Sequence, residues 1–197
     1  GKLQGNSPKL VGRMLKNMLH RGPDNSVVRS LRDDRGALGA NEINIPDGKT
    51  FSSSLDEPPY ILFTGAIYNS RSDGMNDVEI VREYYEKYEQ DAFTKLDGSF
   101  SCAIVEKNEE VILARDHVGA VPLFYGSDNS TFCFSTEMKG LKDHIQFDIE
   151  ELPPGCIYST KKGKKEFGAF TPDTPELPAT IDEAAKIIRE QLIEAVR

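Results

Sequence analysis

The chain has 197 residues, 38% of them apolar and 28% charged, with a formal net charge of −8. That length holds one substantial core, or one domain and the start of another. The acidic balance, with no basic stripe to offset it, argues against a nucleic-acid partner, and no apolar run approaches the roughly 18 residues that a membrane span needs. Over residues 8–20, Leu10, Val11, Met14, Leu15, Met18 and Leu19 recur at helical spacing, with Ser7 read as N-cap and Pro8 in the first turn. His20-Arg21-Gly22-Pro23-Asp24 ends that helix. Strands are expected near 26–32, 37–45 and 60–68, divided by the Asp47-Gly48 turn and the Pro58-Pro59 pair. A helix from about Asp77 carries Val78, Ile80, Val81, Tyr84, Tyr85 and Tyr88 on one broad face, and a short helix follows near 92–96. Strands then crowd together at 99–106, 110–115, 122–126 and 131–135. A helical turn near 136–141 precedes strands near 157–160 and 165–169. Between those strands, Lys161-Lys162-Gly163-Lys164-Lys165 reads as a solvated hairpin tip. Early helices followed by antiparallel strands in bulk make an α+β pattern.

The last segment differs in composition. Residues 171–178 are proline-rich and read as an extended linker. Residues 181–197 read as an amphipathic helix, with Asp182 and Glu183 in its first turn and Ala184, Ile187, Ile188, Leu192 and Val196 on one side. The expected division is a domain over 1–170, then a linker and the first helix of a further domain over 171–197. No charged-then-apolar leader is present, and the three cysteines lack close spacing, which suits a reducing, cytoplasmic setting. Cys102 and Cys133 lie in alternating apolar runs and read as small core residues; Cys156 follows Pro153-Pro154-Gly155. His117 and His144 carry no partner pattern.

One stretch poses a sharper question. Ile61-Leu62-Phe63-Thr64-Gly65-Ala66-Ile67-Tyr68-Asn69 reads as a buried strand with a glycine in its middle, which signals a bulge or a close approach to the backbone. That run, together with His20-Arg21-Gly22-Pro23-Asp24, Asn76-Asp77-Val78-Glu79, Leu96-Asp97-Gly98-Ser99-Phe100, Ala114-Arg115-Asp116-His117-Val118-Gly119 and Phe134-Ser135-Thr136-Glu137-Met138-Lys139, resembles the class II (N-terminal nucleophile) glutamine amidotransferase domain of the asparagine synthetase family. The stretches occur in family order.

The resemblance implies a four-layer αββα sandwich of two antiparallel sheets flanked by helices, the N-terminal nucleophile hydrolase-like form of an α+β fold. It also implies a chemistry. An N-terminal cysteine attacks the glutamine side-chain amide with its own α-amino group as base, an asparagine side chain and the next glycine N–H hold the oxyanion, and ammonia passes to an ATP-using synthetase domain. The ligand expected here is glutamine or a related small amine or amino acid, and the partner is a downstream synthetase-like domain. No cofactor is expected within this domain, with ATP and magnesium used only in the further one.

Carried over residue by residue, Gly65 falls on the oxyanion glycine and Asp77 on the aspartate that binds the substrate α-amino group. Without the resemblance, Gly65 relieves packing at a bulge and Asp77 caps a helix. Thr64 stands in place of the oxyanion asparagine, Ala66 in place of a glutamate, and Glu42 in place of the arginine that pairs with the glutamine α-carboxylate. The nucleophile is not in the chain, which starts Gly1-Lys2-Leu3-Gln4-Gly5. Either a cysteine precedes Gly1 in the natural protein, or that protein lacks one. His20 and Arg21 border the pocket or cap a helix end, and Arg115-Asp116 pair with neighbours. Three functions stay open: an altered, glutaminase-deficient domain beside a synthetase, an active glutamine-hydrolysing domain supplying ammonia for asparagine or related amide synthesis, and a small-ligand binding or regulatory module.

Overall fold

The computed structural model describes residues 7–31, 36–45, 48–49, 51–69, 75–128, 131–143, 148–168, 178 and 180–196. In chain order the elements are α1 (Ser7–Asn17), a 3₁₀ turn (Leu19–Arg21), β1 (Asn25–Ser30), β2 (Ala37–Glu42), β3 (Asn44–Ile45), β4 (Gly48–Lys49), β5 (Phe51–Ser54) and β6 (Tyr60–Ile67). Then come α2 (Asp77–Tyr88), a second 3₁₀ turn (Glu89–Thr94), β7 (Gly98–Val105), β8 (Val111–Arg115), β9 (Phe124–Ser127), β10 (Phe132–Ser135) and α3 (Lys139–Lys142). The last are β11 (Glu150–Glu151), β12 (Cys156–Ser159), β13 (Gly163–Glu166) and α4 (Ile181–Val196).

A six-stranded sheet of order β13-β12-β8-β7-β6-β5 forms the backbone of the molecule, every neighbouring pair antiparallel. Because strand side chains alternate between faces, its apolar residues divide by parity. Ile61, Phe63, Phe100, Cys102, Ile104, Ile112, Ala114 and Ile157 point to one side, where they bury Val78, Ile80, Val81 and Tyr85 of α2 with Phe93 of the following turn. Tyr60, Leu62, Ala103, Val105, Val111 and Leu113 point to the other, against Leu38 of β2, Leu123, Tyr125 of β9 and Leu152. This second layer is made of the β1-β2 hairpin and the β10-β9-β11 sheet. Beyond it, Met14 of α1 and Leu141 of α3 pack with Cys133 of β10. Three apolar interfaces thus separate four layers, α2, sheet, sheet, and α1 with α3: the expected αββα sandwich.

Several expected boundaries move. Ser7 is the first helical residue of α1 rather than a residue ahead of it. Asn76, not Asp77, caps α2: its side chain accepts from the Glu79 N–H at 3.1 Å while the Glu79 carboxylate accepts from the Asn76 N–H at 2.8 Å. The 136–141 turn shortens to α3. The lysine run is only partly a tip, since Gly163 starts β13 and pairs with Ser159. Lys161 approaches Glu110 at 3.9 Å and Lys165 approaches Asp91 at 3.7 Å. Asp47, His144 and linker residues 171–177 lie outside the described residues. The closing helix forms as α4, with Ile187, Ile188, Leu192 and Val196 exposed.

Candidate functional site

Gly65 sits in β6 opposite Phe100 of β7, with a φ of +125°. A β-carbon there would collide with the Ser99 carbonyl oxygen and press on the Phe100 backbone. What approaches Gly65 is therefore the neighbouring strand, and only glycine tolerates both that contact and that dihedral angle. Tyr68 and Asn69 continue the join: the Tyr68 N–H donates to the Asp97 carbonyl at 2.7 Å, Asn69 Oδ1 accepts from the Asp97 N–H at 2.6 Å, and Asn69 Nδ2 donates to the Lys95 carbonyl at 3.1 Å. Two of the motif stretches are thus one structural unit.

Thr64 pairs with Ser101 across β6 and β7, on the parity that faces the second layer. It lines a cavity of about 200 Å³ enclosed by α1, β2, β6, β7 and β10. The wall is mostly apolar, with Arg21, Asn41, Thr64, Ser101, Ser135 and Thr136 as its principal polar contributors. Of the sequence-derived site residues, Thr64 borders this space; Gly65, Glu42 and Asp77 do not line it. Asp77 is the first residue of α2, half-buried, held there by the capping box beside it.

Glu42 ends β2. Its carboxylate accepts a 2.9 Å hydrogen bond from Asn25 Nδ2, the residue opposite it in β1. Asn41, one residue earlier, donates from Nδ2 to the Leu15 carbonyl at 2.8 Å and accepts from Ser26 Oγ at 2.7 Å, so it clamps β2 to both α1 and β1. The turn that follows α1 leans on the same strand end. The Asp24 N–H donates to the Glu42 carbonyl at 3.2 Å, and Gly22 packs so closely on Asn41 and Glu42 that a β-carbon would strike their backbone.

His20 and Arg21 meet Glu137, more than a hundred positions away in sequence. His20 Nε2 lies 3.0 Å, Arg21 Nε 3.5 Å and Lys139 Nζ 3.3 Å from the Glu137 carboxylate. This cluster, like the role of Asn41, was invisible in the linear pattern; only the co-occurrence of the two motif stretches pointed towards it. Arg115 and Asp116 carry structure, as expected. Buried Asp116 accepts from the backbone N–H groups of Phe100, Val118 and Gly119 at 2.7–2.9 Å. Arg115 reaches Glu151 and the carbonyls of Leu152 and Gly119, each at 2.7 Å. His117 bonds the Gly168 carbonyl through Nδ1 at 2.6 Å.

Cys102, Cys133 and Cys156 are all buried and free. Burial pushes each thiol up, that of Cys133 to about 11 with a smaller contribution from Asp128. A buried thiol with a raised pKa is a poor nucleophile. Among the described residues, no group of three or more histidine, cysteine or acidic side chains is placed to hold a metal ion, and no helix is long and apolar enough to cross a membrane.

A sequence profile of the glutamine amidotransferase domain matches residues 1–153. Glutamine-hydrolyzing asparagine synthetase 2 of Oryza sativa subsp. japonica is 29% identical over 192 residues, covering 86% of this chain and 32% of that protein. Glutamine-hydrolyzing asparagine synthetase 1 of Bacillus subtilis (strain 168) is 31% identical over 163 residues, 73% of this chain and 26% of the relative. The chain thus spans about a third of the length of the curated relatives it matches. Among solved structures, the glutamine phosphoribosylpyrophosphate amidotransferase from B. subtilis complexed with ADP and GMP superposes with a TM-score of 0.60 at 14% identity, over 84% of this chain and 48% of that one, a likeness of fold. With fold, motif order and profile in agreement, the chain belongs to the glutamine amidotransferase domain family, of the kind found in glutamine-hydrolysing asparagine synthetases.

Proposed function

We propose that this domain retains the amidotransferase architecture but has lost efficient glutamine hydrolysis, and that it works beside a synthetase-like domain in the whole protein. The observation that carries the proposal is Glu42. In the family it resembles, that position holds the arginine that pairs with the α-carboxylate of glutamine. A carboxylate there repels the substrate's own, and like-charge juxtaposition costs several kcal/mol. The hydrogen-bond partner of Glu42, Asn25, brings no opposite charge to that position.

The oxyanion side points the same way. Amide hydrolysis by a thiolate passes through a tetrahedral oxyanion, which needs donors aimed at the developing charge. Thr64 offers a hydroxyl with shorter reach than the carboxamide it replaces, and losing one such donor costs on the order of 10²–10³ in rate. Ala66 removes the carboxylate of the same motif. The test is ammonia release from glutamine by the full-length protein, expected at the uncatalysed level.

A second reading has its own support. A largely apolar cavity with a few polar groups is the usual form of a small-ligand site, so the domain serves as a binding or regulatory module for a small amino acid or amine. ATP and magnesium, and the acceptor that becomes amidated, belong to the further domain in this proposal.

A further inference from the structure

β13 is an edge of the six-stranded sheet, paired among the described residues with β12 alone, and Gly163, Lys164, Lys165 and Glu166 are all exposed. A strand without a buried face gains little from the hydrophobic effect and stays in place through its ladder and its end contacts. Its ion pairs add little, since Lys161 meets Glu110 at 3.9 Å and Lys165 meets Asp91 at 3.7 Å, both lysines being exposed. Four lysines within residues 161–165 also repel one another.

The end contacts converge on His117. Its Nδ1 lies 2.6 Å from the Gly168 carbonyl, which can only accept, so the ring carries its proton on Nδ1. The ring meets Phe167 edge-on at 4.9 Å, and Phe167 packs on Phe93, 6.3 Å away, at the margin of the α2 core. A β-carbon on Gly168 would stand 2.8 Å from the ring Cε1, so the imidazole lies directly against the backbone there. The Phe167 N–H donates to the Gly155 carbonyl at 2.9 Å. His117 itself is fixed from behind. Buried Asp116 accepts from the Phe100 N–H at 2.9 Å and donates its own N–H to the Phe100 carbonyl at 3.0 Å, while its carbonyl accepts from the Gly155 N–H at 2.8 Å. One side of the His117 contact is thus firm sheet, and the other is a thinly held strand.

We propose that His117 is a latch that holds β13 on the sheet, and that its release frees the chain from residue 163 onward. Freeing residues 163–168 lengthens the tether ahead of α4 by up to about 20 Å, at about 3.3 Å per residue. The latch then sets the reach of whatever follows, a consequence that rests on the reading of a synthetase-like domain beside this one. Hydrogen exchange of the full-length protein, read by mass spectrometry on peptides covering β13 and Phe167, tests it. His117→Ala is expected to speed exchange there by about tenfold or more, the value of one hydrogen bond and one ring contact, and to leave β6 and β7 unchanged. His117→Asn, whose amide donates to the same carbonyl, keeps most of the protection. His117→Phe keeps a ring against Phe167 but has no donor, and loses part of it. Trypsin, which cuts after lysine, should nick His117→Ala faster than wild type after Lys164 and Lys165. Unchanged exchange of β13 in His117→Ala, an equal rise in β6 and β7, or no rescue by His117→Asn overturns the assignment. None of these readouts involves ammonia, so the glutaminase-deficient reading and the latch stand or fall separately.

Discussion

Asn25 Nδ2 donates to the Glu42 carboxylate across the β1–β2 pair at 2.9 Å, joining the first residue of one strand to the last of the other. The acidic residue is thus built into the hairpin, with a neutral amide as its partner. Placing a cation at this position tests whether it meets a ligand, as the proposed function requires. Glu42→Arg is expected to tighten glutamine binding about tenfold, while loss of the Asn25 bond costs about 1 kcal/mol of stability. Calorimetry and urea unfolding separate the two effects. Unchanged affinity would put position 42 out of reach of the ligand.

Asn76 and Asp77 separate a structural role from a binding one. Asn76→Ala removes one half of the capping box and should cost about 1 kcal/mol in urea unfolding. Asp77→Ala, at the first helical position, should cost only a few tenths through the helix dipole. If Asp77 receives a substrate amino group, its substitution weakens amino-acid binding, and Asn76→Ala does so much less.

Gly65→Ala should be among the most destabilising single changes in the domain. It combines a positive φ of +125° with a collision against the Ser99 carbonyl. The expected cost is about 3 kcal/mol or more, or loss of the folded state, read by denaturant unfolding and soluble yield. A loss below about 1 kcal/mol would contradict the close approach of β6 and β7.

The layers were legible because their strands alternate cleanly. Ile61 and Phe63 against Tyr60 and Leu62 announce two buried faces, and β7 and β8 repeat the pattern. What escaped lacked such a signal. β5 is Phe51-Ser52-Ser53-Ser54, without β-branched residues or alternation, and is set by pairing with β6. β11 has two residues and exists through its partner β9. The capping box was present as Asn76-x-x-Glu79, but Asn and Asp cap equally well, so adjacent candidates could not be told apart by type. The site was less legible than the fold. Arg21, Asn41 and Glu137 come together through tertiary packing, and no local spacing marks them as neighbours.

The thiols and phenols make the folded state sensitive to alkali. Burial raises the Cys133 pKa from its ordinary 9.0 to about 11. Tyr85 and Tyr125 are raised too, by burial first and then by hydrogen bonds to Glu106 and Glu150. A raised acid group favours its protonated form in the folded state. Its stabilisation is full below the unfolded pKa and is lost as pH rises through the folded one. Stability should therefore fall between about pH 9 and about pH 11, by on the order of 2 kcal/mol from Cys133 at about pH 10.5. Urea unfolding at about pH 8 and about pH 10.5 checks this, and a rise in stability would contradict the burial of these groups. Alkylation of all three cysteines should be slow until the protein unfolds.

The most direct measurement is steady-state ammonia release from L-glutamine by the full-length protein, with and without prior alkylation of its accessible thiols. On the proposed reading, in which Glu42 cannot pair with the substrate carboxylate and Thr64 is a weak oxyanion donor, release is no faster than the uncatalysed background and unchanged by alkylation. Sustained release that alkylation abolishes would contradict that account and return the domain to the active amidotransferases.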